Sequence, residues 1–94
     1  MPTNESHAIH LAGIAAIQRT VRFSPHARQR MEERAASLED VLESMSTCTT
    51  AKNEPPRDKW LLSGGRDLSG DGLDVVVDWT DGEARVVTVL APRP

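Results

Sequence analysis

The chain has 94 residues, 38% of them hydrophobic and 27% charged, and a formal net charge of −3. That length accommodates one domain with a modest core, and that charge excludes a general nucleic-acid coat protein, which is basic overall. A single cysteine, Cys48, excludes an internal disulfide and fits a reducing compartment.

Residues 1–6 read as a disordered lead and residues 7–91 as one α+β domain. No basic stretch precedes an apolar one at the start, so no signal peptide is expected. The apolar run at 8–17 is interrupted by His10 and too short to span a bilayer. The expected location is the cytoplasm, with no membrane contact. Residues 7–19 predict a short amphipathic helix with Ser6 as its cap, weakened by Gly13. Residues 20–23 predict a short strand. Ser24 then supplies a capping oxygen, and Pro25 sits at the first helical position, where its missing N–H costs nothing. That second helix should reach Arg34 or Ala36, with Phe23, Ala27, Met31 and Ala35 as its narrow apolar face. Ser37 and Asp40 have the spacing of a capping box for a third helix, whose stripe is Leu38, Val41, Leu42 and Met45.

The remainder predicts strands. They are expected at 47–52, 58–63, 73–79 and 83–90, with a turn at 53–56 and a glycine-rich hairpin loop at 64–72. Asp81-Gly82 is a favoured tight-turn dipeptide, and Pro92 and Pro94 end the chain. Along 83–90, Ala84, Val86, Thr88 and Leu90 should share one face, and Arg85, Val87 and Val89 the other. Helices followed by strands give an α+β fold, with two or three N-terminal helices on one face of a small antiparallel sheet.

Charge is unevenly distributed. Five arginines fall between positions 19 and 34 against Glu32 and Glu33, which leaves this segment at about +3 and the rest at about −6. Within it, His26, Arg30 and Arg34 recur every four residues and stack along one side of a helix. Two guanidiniums can grip a phosphate, and His26 can move a proton near neutral pH. The line flanks the apolar face, where it could border a cleft between helix and sheet. The same residues admit a structural reading, with the arginines paired to Glu33 and to acids on neighbouring elements.

Other candidate chemistry is thinner. Asp67, Ser69, Asp71 and Asp78 mimic a calcium loop, but a strand-like segment follows where a helix is required. His7 and His10 lack a third metal ligand nearby. Neither a metal nor a cofactor is expected. Trp60 and Trp79 read as core residues, and Cys48 as a small, partly buried thiol.

The segment Phe23-Ser24-Pro25-His26-Ala27-Arg28-Gln29-Arg30-Met31-Glu32-Glu33-Arg34, followed by Ser37-Leu38-Glu39-Asp40-Val41 and later Val86-Val87-Thr88-Val89, resembles a small bacterial family known as domain of unknown function 4258 (DUF4258). That family's pattern has Gly-Ile where Ala35-Ala36 stand here, and often an aromatic where Leu90 stands. The resemblance implies a fold of the RelE/BrnT-like group, in which many members are toxins that cut RNA. It implies His26 as the proton-transfer residue, Arg30 and Arg34 as holders of the scissile phosphate, and Thr88 on a facing strand. Arg28 and Lys59 join Thr88 as candidate substrate-binding residues. Implied partners are RNA or the ribosome, and a cognate antitoxin or another protein. The competing reading is an interaction or assembly module that keeps the fold without cleavage.

Overall fold

The structure is a computed structural model that describes residues 2–55, 58–80 and 82–91. The expected features at Pro56, Asp81, Pro92 and Pro94 lie outside the described residues. Helix α1 spans Glu5–Gln18. It begins two residues earlier than the sequence predicts because Asn4, not Ser6, is the cap: its side chain accepts from the His7 N–H at 2.9 Å. Ala8, Ala12, Ala15 and Ala16 form its buried face, a smooth surface that allows close approach.

Strand β1 (Val21–Phe23) leads into helix α2 (Pro25–Glu33) through Ser24. The Ser24 hydroxyl accepts from the Ala27 N–H and donates to the Val87 carbonyl, both at 3.0 Å, so one residue caps the helix and ties it to the sheet. Helix α2 ends in a Schellman arrangement, in which Ala36 N donates to Met31 O and Ala35 N to Glu32 O. This forces Ala35 to φ 54°, left-handed and exposed, and removes it from the expected apolar face. Alanine is strained there by roughly 1 kcal/mol. Ala35→Gly, which restores the glycine of the resembled pattern, is therefore expected to raise stability by about that amount, measured by denaturant unfolding.

Helix α3 (Leu38–Thr47) starts with the expected capping box between Ser37 and Asp40. The Ser37 N–H and then the Leu68 N–H hold the Asp40 carboxyl below the usual aspartate range. Four further strands follow: β2 (Thr50–Glu54), β3 (Lys59–Ser63), β4 (Asp74–Thr80) and β5 (Glu83–Leu90). Strand β2 begins three residues later than expected because Thr47 stays helical, its hydroxyl donating to the Glu43 carbonyl at 2.9 Å.

The strand order is β1-β5-β4-β3-β2. Hairpin neighbours β2, β3, β4 and β5 pair antiparallel, but β1 runs parallel to β5, so the sheet is mixed rather than wholly antiparallel. Strand β1 reaches β5 only after the chain has traversed two helices and three strands, and no tight turn dictates its direction. A register shift between Val76 and Val77 leaves Val87 as an extra residue on β5. This bulge changes the predicted alternation. Ala84, Val86 and Val89 lie in the core, whereas Arg85, Thr88 and Leu90 share the other face.

Ala27, Val41, Leu42, Met45, Trp60, Leu62, Val75 and Val77 belong to the same core, with Phe23, Met31 and Trp79 packed against it. All three helices thus contribute to one side of the sheet. Cys48 is buried, and burial pushes its thiol pKa up, as expected of a structural cysteine.

Candidate functional site

The fold neutralises part of the basic segment's charge. Arg19 forms a bidentate pair with Glu39 at 2.6 and 3.1 Å, Arg22 pairs with Glu83, and Arg30 with Glu33 at 3.0 Å. The hydrogen bond from Glu39 raises the Arg19 pKa, and the same bond lowers that of Glu39. Acids distant in sequence therefore neutralise much of the local charge. Arg28, Arg34 and His26 have no side-chain partner among the described residues.

His26, Arg30 and Arg34 are all exposed. They follow one side of α2 with Arg34 at its C-cap, as their spacing predicts. None of the three is among the residues lining the described cleft that α2 borders. The cleft that α2 does border involves Pro25 and Arg28, two residues on from His26 and so about 200° around the helix axis from it.

That cleft has a volume of about 490 Å³ and wraps the outer edge of β1. Its apolar walls are Val21, Phe23 and Leu38, and its charged rim is Arg22, Arg28 and Arg85. Register explains the meeting. Arg22 lies beside Arg85 across the parallel pair, and Arg85 faces Asp78, to which it is bonded at 2.9 Å. The Asp78 carboxylate raises the Arg85 pKa by hydrogen bonding. Lys59 faces Asp78 in turn, and Glu54 faces Lys59. One charged row, Arg22–Arg85–Asp78–Lys59–Glu54, crosses all five strands on the side opposite the core.

The structure thus divides the predicted site residues among three places. His26, Arg30 and Arg34 stand on the outer side of α2. Arg28 is in the cleft, and Lys59 and Thr88 are on the opposite face of the sheet, where Thr88 is in register with Val76. Arg28 and Lys59 belong to neighbouring features, because the cleft opens onto the charged row. Arg22 and Arg85 escaped sequence reasoning. Their outward orientation is legible in the alternation Val21-Arg22-Phe23 and Ala84-Arg85-Val86, but the parallel pairing that joins them is not. Among the described residues no group of three or more His, Cys, Asp or Glu side chains could hold a metal ion.

Residues 23–91 match the family described as domain of unknown function DUF4258. The chain belongs to the DUF4258 family. The match takes in α2, α3 and β2 to β5 with every candidate residue above except Arg22, and leaves out α1. No curated protein and no solved structure matches this DUF4258 chain. Among the described residues of this DUF4258 protein, no helix is long and apolar enough to cross a membrane.

Proposed function

We propose that this protein is a non-catalytic interaction module whose working surface is the cleft at the β1 edge with its arginine rim. One observation carries the reading: Arg28, exposed and without an acidic partner among the described residues, lines a partly apolar cleft, whereas His26, Arg30 and Arg34 are not among that cleft's lining residues. General acid–base chemistry places a histidine within hydrogen-bond reach of the proton it moves, and His26 lies outside the one cleft that α2 is described as bordering. Recognition asks less: shape, an apolar floor and a charge to complement.

A toxin-type ribonuclease of the RelE/BrnT-like kind is the second reading, favoured by the accessibility of His26 and Arg34 on one side of a capped helix. In it His26 takes the 2′-OH proton as that oxygen bonds to phosphorus and the P–O5′ bond breaks, leaving a 2′,3′-cyclic phosphate and a 5′-hydroxyl protonated by the His26 imidazolium or water, while Arg34 and Arg30 counter the charge on the pentacoordinate phosphorus. The ribosome would then supply the enclosure that α2 lacks.

Induced expression of wild-type protein and of His26→Ala separates the two. The interaction reading expects indistinguishable growth curves for both. Growth arrest by the wild type that His26→Ala relieves would establish the second reading instead.

A further inference from the structure

The two edges of the sheet are not equivalent. At the β2 edge, α1 packs against the strand, and the Glu5 carboxylate accepts the outward Ala51 N–H at 3.2 Å. At the β1 edge nothing comparable is present among the described residues. Ser24 N donates to Val86 O, so by alternation the Arg22 N–H also points towards β5. The N–H and C=O groups of Val21 and Phe23 therefore point away from the sheet, into the cleft. An exposed strand edge of this kind is a template for a further strand.

We infer that this edge accepts an extended, acidic segment of a partner protein as a sixth strand beside β1. The inference rests on the interaction reading above and names the partner's chemistry. Backbone groups of the incoming strand would meet those of Val21 and Phe23. Its apolar side chains would settle on Val21, Phe23 and Leu38, the last already 42% exposed. Its carboxylates would meet Arg28, which has no internal partner among the described residues, while Arg22 and Arg85 flank the strand already paired with Glu83 and Asp78. Charge also argues against a second copy of this chain. Antiparallel pairing of β1 with its own copy in the register that matches all three residues would set Arg22 against Arg22, and like charges directly opposed destabilise a strand pair.

The test uses the full chain and a fluorescein-labelled octapeptide of alternating valine and glutamate. Two control peptides carry lysine in place of glutamate, or N-methyl groups on the backbone amides of one edge. The glutamate peptide is expected to bind, with affinity that falls as salt rises. Arg28→Glu and the N-methylated peptide should each weaken binding by at least about tenfold, and the lysine peptide should not bind. In hydrogen exchange, the Val21 and Phe23 amides should be fast in the free protein and protected in the complex, while Arg22 is protected in both. Equal binding of the glutamate and lysine peptides, or of the methylated and unmethylated ones, overturns the inference. So does absence of binding at millimolar peptide, a dimer formed through β1, or a single-stranded RNA oligonucleotide that displaces the peptide. If the peptide fails while His26→Ala remains without effect on growth, the strand-docking inference alone falls. His26-dependent growth arrest overturns the interaction reading itself.

Discussion

Leu62→Ala is expected to reduce the unfolding free energy by about 3 kcal/mol and the melting temperature by roughly 15 °C. Leu62 is 1% exposed, on β3, in register with Ala51 on one side and Val75 on the other. Deleting its isopropyl group leaves a cavity that the alanines of the core, Ala8, Ala12 and Ala51 among them, are too small to refill. Leu61, the adjacent residue, points to the opposite face beside Val76, and Leu61→Ala should have less than half the effect. Thermal melts of both variants check the register directly. A larger loss for Leu61→Ala than for Leu62→Ala would mean that β3 is shifted by one residue.

Gly65→Ala is expected to cost about 2 kcal/mol. A Cβ at position 65 would overlap the carbonyl and hydroxyl oxygens of Ser44 on α3. That contact belongs to a knot joining α3 to the glycine-rich loop. Ser44 donates to the Leu73 carbonyl, Leu73 N donates to Gly65 O at 3.1 Å, and Arg66 N donates to the Thr47 hydroxyl at 2.9 Å. Neither Ser44 nor the Gly65 backbone can move without breaking a buried hydrogen bond. Gly13→Ala provides the contrast, since nothing lies within 4 Å of a Cβ there. In the middle of α1 that change should stabilise by about 0.5–1 kcal/mol. Opposite signs for the same substitution, read by chemical denaturation, are the expected result.

Features governed by short-range chemistry were legible from residues alone. Ser24, Pro25 and the Ser37–Asp40 box announce two helix starts, and each does in the structure what its chemistry requires. Of the expected stripe Leu38, Val41, Leu42 and Met45, the last three are buried as predicted, as is the solitary Cys48, whereas Leu38 in the first turn of α3 is exposed. What stayed hidden depends on long-range partners. The direction of β1 relative to β5 is set by packing against residues 63 positions away, as Val21 against Ala84. The bulge at Val87 leaves no local mark beyond an unremarkable run of valines, yet it decides which way Thr88 and Leu90 face.

The candidate site follows the same division. Helical spacing placed His26, Arg30 and Arg34 on one side of α2. It could not reveal that Glu39 and Glu83 would neutralise Arg19 and Arg22, because those acids arrive from α3 and β5. Counting charge over a stretch of sequence therefore overstated how basic this surface is. The cleft was invisible for the related reason that its rim assembles from β1, α2 and β5.

RNA integrity in the presence of purified protein and ribosomes tests the central claim most directly. Wild-type protein and His26→Ala are each incubated with ribosomes on a defined message, and the message is analysed for new 5′ ends. The interaction reading predicts no cleavage above the protein-free control for either. Cleavage by the wild type that His26→Ala reduces about a hundredfold, as expected on loss of a general acid or base, would contradict it.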